Sequence, residues 1–242
     1  MRSKIILLLF FISINNFSQE KTYFDSPFGF GVGYTPVWVI RNFDFINPQL
    51  KNFGTDEFSS SGFFSSGGAG FIYVGFVPNL RLGGMGFGGS NKESKVVNGF
   101  NNVAKYSQNF AGITAEYTFP LIRSFALSFG MILGWGGQQL ELSRNKGEFS
   151  WDGIWREISD PLSSTQNFSR VIKNNFILLS PTINIDYNIY RFVSMRIGAG
   201  YSFNFGNEWQ VEKNLIVNGV PDNAAGDSFF IQSGVFIGFF SY

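Results

Sequence analysis

Ala111-Gly112-Ile113-Thr114-Ala115-Glu116-Tyr117-Thr118-Phe119 is the run on which the fold turns. Ala111, Ile113, Ala115, Tyr117 and Phe119 hold the odd positions, while Gly112, Thr114, Glu116 and Thr118 hold the even ones. Successive side chains of a strand point to opposite faces, so this run has one apolar face and one small or polar face. Past a short corner, Pro120 to Arg123, the pattern resumes. Phe125, Leu127, Phe129, Met131, Leu133 and Trp135 share one face, and Ala126, Ser128, Gly130, Gly134 and Gly136 share the other, with Ile132 the bulky exception. Two long alternating strands joined by a trimmed turn are a β-hairpin with one face suited to an apolar surrounding.

The same alternation spreads outward along the chain. Ile177, Leu179, Ile183, Ile185, Tyr187 and Ile189 oppose Ser180, Thr182, Asn184 and Asp186. Val193, Met195, Ile197, Ala199, Tyr201, Phe203 and Phe205 oppose Ser194, Arg196, Gly198, Gly200, Ser202 and Asn204. The earlier runs are noisier. Phe28, Phe30, Val32 and Tyr34 alternate with Gly29, Gly31 and Gly33, whereas the run at Gly70 to Val77 is apolar on both faces. A glycine face of Gly84, Gly86 and Gly88 is opposed by Met85 and Phe87. On the last run, Ser228 to Tyr242, the face of Phe229, Ile231, Val235, Ile237 and Phe239 is read as the outer one, but a second aromatic row of Phe230, Phe236, Phe240 and Tyr242 leaves the register open.

Eight such runs are joined by connections that alternate long and short. The short ones are Pro78-Asn79, the Pro120 to Arg123 corner and a turn near Tyr190-Arg191. The long ones are read as Ile40 to Gly62, Asn91 to Asn109, Gln138 to Asn174 and Gly206 to Asp227, all polar. Loops sorted by side are expected of an up-and-down barrel that crosses a bilayer, and each run has the nine to eleven residues a tilted strand needs to cross. The expected fold is therefore all-β, an antiparallel up-and-down transmembrane β-barrel of eight strands. A hairpin around Arg144 to Gly147 would raise the number to ten, but its flanks are too polar to face lipid.

Composition agrees. The chain has 242 residues, enough for one domain, and none of its apolar runs past the N-terminus approaches the 18 residues of a spanning helix. Phe is used 31 times and Gly 29 times, which suits aromatic girdles at two interfaces and a narrow interior relieved of crowding. Arg2 and Lys4 precede the apolar stretch Ile5 to Ile14, the pattern of a secretory signal peptide over residues 1–18, with cleavage near Ser18-Gln19. Residues 19–242 then form a single barrel domain. Cysteine is absent, which excludes a disulfide framework and an N-terminal lipid anchor. Without Arg2 and Lys4, 16 basic and 17 acidic side chains remain, and no basic patch points to nucleic acid.

Aromatics recur at both expected interfaces: Trp38, Phe110, Trp135, Phe176 and Trp209 on the loop side, and Phe119, Phe125, Tyr187, Tyr190 and Phe192 on the turn side. With the terminal run Phe236-Ile237-Gly238-Phe239-Phe240-Ser241-Tyr242, these features make the chain resemble the small eight-stranded outer-membrane barrels, the OmpA/OmpX/OmpW-like porin superfamily. The resemblance covers about Phe28 to the end and is one of architecture. It implies location in the bacterial outer membrane and contact with its lipid. It also implies recognition of the last strand by the barrel-assembly machinery, through an aromatic end that Phe240 and Tyr242 match.

Several candidate sites stand out. Gly84-Met85-Gly86-Phe87-Gly88-Gly89 fits the dinucleotide fingerprint, but polar Ser90-Asn91-Lys92-Glu93 follows where a helix is required, so it reads as strand. The enzymes of similar barrels use a histidine as base or relay, and this chain has none. No catalytic residue, cofactor or metal site is therefore expected. Glu116, Asp186 and Arg196 fall on inward faces at similar heights, as either a charge filter or a salt-bridge network filling a narrow lumen. Asn47-Pro48 opens a short helical turn that closes at Phe53-Gly54, with Asn as cap; Phe45, Leu50 and Phe53 pack within that loop, sit at the interface or fold over the barrel mouth. Trp151 and Trp155, beside Asp152, Arg156, Glu157 and Asp160, form a loop surface for sugars or amphiphiles, or an anchor at the membrane surface.

The functional expectation is a porin-like or envelope-scaffold barrel, with passage or binding of small solutes or amphiphiles. The alternative is a surface interaction or adhesion barrel acting through its loops, with an enzyme the least favoured class.

Overall fold

A computed structural model describes residues 28–146, 150–159, 167–206, 208–212 and 214–240. The signal-peptide reading of residues 1–18 and the terminal Ser241 and Tyr242 lie outside the described residues, as does Asp160.

Eleven strands form one sheet: β1 (Gly29–Tyr34), β2 (Val37–Ile40), β3 (Phe63–Tyr73), β4 (Leu80–Val97), β5 (Phe100–Ile122), β6 (Phe125–Asn145), β7 (Phe168–Tyr190), β8 (Val193–Phe205), β9 (Trp209–Val211), β10 (Leu215–Ile216) and β11 (Ser228–Phe240). β1 and β2 act as one wall strand. Tyr34 pairs with Val235 and Val37 with Gln232 on one side, Tyr34 with Gly68 and Val37 with Ser65 on the other, so the register runs unbroken through Thr35-Pro36. Pro36 has no N–H to give to the ladder, but its carbonyl accepts from Ser233 N at 3.0 Å. Each later wall strand pairs with the next, β3 through β8, then β11, and β11 returns to β1 and β2. The result is a closed, antiparallel, up-and-down ring of eight walls, paired on both sides over the height that the walls share.

The period-two reading of the walls agrees with the exposures. Ile113, Leu133, Ile177, Ile183, Ile197 and Ile237 face outward, while Thr118, Ser128, Ser180 and Asn184 are buried inside. On β11 the outward row is Phe229, Ile231, Val235, Ile237 and Phe239, and Phe230, Phe236 and Phe240 point inward. On β4, however, the glycine face is the outer one. Gly84, Gly86 and Gly88 share it with Leu82, and Arg81, Met85 and Phe87 fill the interior. Glycine there leaves a smooth outer wall and does not relieve the lumen.

Two of the expected long loops are largely strand. β4 and β5 continue to a tight turn at Asn98-Gly99, both with positive φ (51° and 78°), and β6 and β7 continue to Asn145 and from Phe168. Alternation persists in these polar extensions: Ala104, Tyr106, Leu140 and Leu142 turn inward while Lys105, Ser107, Gln139 and Glu141 turn outward. The wall therefore stands much taller on this side than on the β8–β11–β1 side, by ~25 Å of strand on β4 alone, where Ser90 to Val97 run past the last pairing with β3.

A lid covers the low side and leans on the tall wall. Residues 41–58 carry helix α1 (Asn47–Phe53), which ends at Gly54 with φ 88°. Asn47 does not cap it. Its side chain instead brackets the backbone of Phe58, accepting from the N–H at 3.0 Å and donating to the carbonyl at 3.1 Å, and so staples the two ends of the lid. Leu50, Phe43 and Phe58 are fully buried, and the Phe43 ring meets Tyr106 of the tall wall at 5.1 Å. Of the three readings for this segment, the fold over the barrel mouth is the one formed. The last connection adds the β9–β10 hairpin, which extends from β7 through Asn174 to Trp209, and a 3₁₀ turn at Asp222–Ala225.

The lid also explains why the loop-side girdle departs from expectation. Trp38 and Trp135 face outward, but Phe110, Phe176 and Trp209 are buried. Phe110 packs on Phe87 with ring centroids 3.9 Å apart, in the apolar core beneath the lid. On the turn side, Phe119, Phe125, Tyr187, Tyr190 and Phe192 are all exposed as read.

Candidate functional site in the barrel lumen

Alternation and register together bring four charged side chains to one level of the lumen. Arg81 lies opposite Glu116 across β4 and β5, and Asp186 lies opposite Arg196 across β7 and β8. β6, which separates the pairs, is cut back at this height. Gly130 faces Glu116, and a Cβ there would lie 2.7 Å from Glu116 Cγ. The space that glycine leaves lets the two pairs meet.

Arg196 binds both carboxylates. Its Nε and Nη2 donate to Asp186 Oδ1 and Oδ2 at 2.7 and 3.2 Å, and its Nη1 and Nη2 donate to Glu116 Oε1 and Oε2 at 2.9 Å each. Arg81 approaches from the other side, with Nη2 2.7 Å from Asp186 Oδ2, 3.1 Å from Glu116 Oε2 and 2.5 Å from Ser128 Oγ. Asn184 donates to Glu116 Oε1 at 3.3 Å, and Gln232 donates to Asn184 at 2.5 Å. All four charged groups are buried, and two cations neutralise two anions. Both arginines also lie against rings: Arg81 is 4.7 Å from the Phe71 centroid and Arg196 is 5.1 Å from that of Phe236. Those rings pack with Tyr73 and Phe240 toward the short-turn end. The cavity beside the quartet, bordered by Glu116, Arg196, Thr182 and Phe236, holds about 10 Å³, the room of one water.

Sequence reasoning found three of these four. Glu116, Asp186 and Arg196 meet, and the fourth member, Arg81, lies just before the alternating run of Gly84 to Gly88. Counting back from Met85 and Phe87 puts Arg81 on their inward face.

A second polar cluster sits higher, above the Phe87–Phe110 layer. Arg41 is buried and donates to Tyr106 Oη, Gln138 Oε1 and the Ala224 carbonyl, and no carboxylate is among these partners. Its guanidinium also lies 4.8 Å from the Tyr106 ring centroid. Burial pushes the Tyr106 phenol up, against the pull of Arg41. Arg41 continues the inward parity of Val37 and Val39, a signal hidden by reading the segment as loop. Beside this cluster an apolar pocket of about 350 Å³ opens between the lid and the 217–221 segment, lined by Phe45, Ile46, Leu140, Leu142, Ile172 and Trp209.

The other sequence candidates stay apart from the lumen. Gly84 to Gly89 lie within β4, and strand continues where a nucleotide site needs a helix. Trp151 and Trp155 fall on helix α2 (Trp151–Ser159), exposed, with rings 5.6 Å apart. Among the described residues no group of three or more Asp or Glu is arranged to hold a metal ion, and no helix is long and apolar enough to cross a membrane.

No family model and no curated protein matches the sequence. Among solved structures, the chain is similar to a major outer membrane protein of Thermus thermophilus (9% identity, TM-score 0.47, covering 87% of this chain and 99% of that one). It is also similar to the outer membrane protein OprG of Pseudomonas aeruginosa (8%, 0.45, 90% and 98%) and to Neisserial surface protein A (13%, 0.44, 88% and 97%). The likeness is one of architecture, to small outer-membrane β-barrels.

Proposed function

We propose that the chain is an outer-membrane β-barrel with a closed lumen, an envelope scaffold that works through its surface and not a diffusion pore. The observation that carries this reading is the neutral quartet of Arg81, Glu116, Asp186 and Arg196, which spans the lumen and leaves space for a single water. An ion filter needs charges that face a water column, whereas here every charge is held by another.

Membrane insertion is supported by the outer wall. Ile113, Trp135, Ile177, Ile197 and Ile237 are all more than half exposed, and the apolar band they belong to runs around the ring. Exposed apolar patches on soluble monomers stay within roughly 300–600 Å². From Phe125 to Trp135 the band spans about ten residues, ~25 Å in height once strands tilt by roughly 40°. Short turns then face the periplasm, and the lid, the tall wall and Trp151 with Trp155 face outward. The inward-locked Phe240 fits a closing strand delivered by the barrel-assembly machinery, and the absence of histidine supports a non-enzymatic role.

One observation favours ligand binding in addition to scaffolding. The pocket under the lid is apolar and of ligand size, suited to the chain of a small amphiphile.

Refolded protein in planar bilayers tests the central reading. Closed membranes are expected with the wild type, together with a shift in gel mobility between unboiled and boiled samples. Stepwise conductance would overturn the closed lumen, and recovery from cells as a soluble periplasmic protein would overturn membrane insertion.

A further inference from the structure

The outward face of β5, β6 and β7 changes character within one row of side chains. Ala111, Trp135 and Ile177 form the last apolar row, aligned across the ladder. The next row toward the long loops is Asn109, Gly137 and Asn175, and the one above it is Ser107, Gln139 and Lys173. Because Gly137 carries no side chain, the middle of the polar row is open. The result is a socket of about 440 Å³, with Trp135 (68% exposed) below, Gln139 above and an asparagine on each flank. A Cβ on Gly137 would lie 3.3 Å from Asn175 Oδ1 and 3.7 Å from Asn109 Oδ1, so two carboxamides converge over the glycine.

The charge around the socket is positive. Lys173 lines it, and no ion pair occupies Lys173 among the described residues. One row higher, Lys92 lies opposite Lys105, and Lys105 lies opposite Glu141. The remaining acid, Glu208, accepts from Gln210, the partner of Lys173 in the ladder. Three lysines thus face two glutamates.

We propose that this socket binds the phosphorylated sugar headgroup of an anionic glycolipid, in the leaflet around the long-loop half of the barrel. The inference rests on the membrane-inserted reading above. Depth selects the occupant: the socket lies directly on the boundary where an apolar wall gives way to a polar one, so acyl chains run down past Trp135 while the headgroup stays level with Gly137. Chemistry selects the headgroup. Lys173 meets a phosphate, the amides of Asn109, Asn175 and Gln139 meet hydroxyls, and the indole of Trp135 offers a flat face to a sugar ring. A soluble sugar phosphate shares the headgroup but has no chains to lie along the wall, and the proposal is for the lipid.

The test uses full-length protein refolded into zwitterionic nanodiscs, with gel mobility scored before any lipid is added. Native mass spectrometry then counts retained lipid with three probes: a bis-phosphorylated diglucosamine glycolipid, its dephosphorylated form, and free glucosamine 6-phosphate as competitor. One phosphorylated lipid per barrel is expected for the wild type and for Lys51→Gln, which removes a charge on the lid. Retention at least tenfold weaker is expected for Gly137→Leu, which fills the socket, and for Lys173→Gln. Asn175→Leu, an outward substitution that leaves the glycine in place, is expected to weaken retention in the same direction. Equal loss in Lys51→Gln and Lys173→Gln with none in Gly137→Leu and Asn175→Leu would mean diffuse charge attraction and overturn the site. Displacement by free glucosamine 6-phosphate would overturn the lipid as occupant. Failure of the wild type to enter nanodiscs would overturn the membrane reading itself, and it is seen before the lipid arms begin.

Discussion

Arg196 and Asp186 stand directly opposite each other on adjacent strands and close a two-point pair, Nε to Oδ1 at 2.7 Å and Nη2 to Oδ2 at 3.2 Å. Asp186 is shared with Arg81, and Arg196 is shared with Glu116, so neither pair is independent of the other. A planar guanidinium with several fixed donors is the group that can hold two carboxylates in this way.

Removing one member leaves an uncompensated buried charge. Arg196→Met is expected to destabilise the barrel by about 3–5 kcal/mol in urea titrations in micelles, the usual cost of breaking a buried pair. Conductance is expected to rise as water enters. The double variant Arg81→Met with Asp186→Leu keeps the lumen neutral and should cost clearly less than the sum of its two singles. Strict additivity would mean that the four groups do not act as one network.

The space that admits the network gives a second expectation. A Cβ on Gly198 would lie 2.0 Å from Asn184 Oδ1 and 2.7 Å from the Ile183 carbonyl, so Gly198→Ala forces the wall itself to shift. On outward Gly84 the nearest atom is 3.5 Å away. Folded yield, read as the fraction of unboiled protein with shifted mobility, should fall sharply for Gly198→Ala and stay at the wild-type level for Gly84→Ala. Equal yields would mean that Gly198 does not face a filled lumen.

What the sequence made legible follows from period two. Wherever an apolar face met a polar one, as from Ala111 to Trp135, the alternation fixed which side each residue takes, and so brought Glu116, Asp186 and Arg196 together. It is weakest where a strand has a polar outer face and so looks irregular. Lys92, Lys105 and Glu141 look like loop residues, yet they are the wet faces of strands whose other faces, Tyr106 and Leu140, are dry. The Asn98-Gly99 pair, a strong hairpin signal, lies inside the stretch expected to be the Asn91 to Asn109 loop and is the turn that the structure forms. The lid was harder to place, because nothing in residues 41–58 says which wall Leu50 and Phe43 will lean on.

That lid yields a third expectation. Leu50 is 1% exposed and lies in the core that joins lid to wall, but none of the barrel pairings passes through it. Leu50→Ala should weaken lid docking by about 2–5 kcal/mol, as buried Leu→Ala changes do, and leave the barrel closed. Hydrogen exchange should then speed up within residues 41–58 and stay slow on β5 to β8. Matching acceleration on both would mean that lid and barrel unfold as one unit.

The closing strand supports the last expectation. Phe239 and Phe240 are neighbours in sequence with opposite surroundings: Phe239 is 40% exposed on the outer wall, and Phe240 is 1% exposed inside. The Phe240 ring lies 6.2 Å from that of Phe71, and its N–H donates to the Arg191 carbonyl at 2.7 Å, tying the end of β11 to the β7–β8 turn. Phe240→Ala removes a packed ring at the seam where β11 meets β1, and should cost about 3–5 kcal/mol as a buried Phe→Ala change. Phe239→Ala exchanges one outward apolar contact for a smaller one and should cost far less. An unclosed seam inside lipid leaves backbone groups without partners, so the loss for Phe240→Ala should appear as less assembled barrel as well as lower stability. The measurement is the folded fraction of each variant after refolding into micelles, together with its urea midpoint. Equal losses for the two would mean that the assembly route reads the aromatic end as a tag, with no part played by the inward ring in closing the sheet.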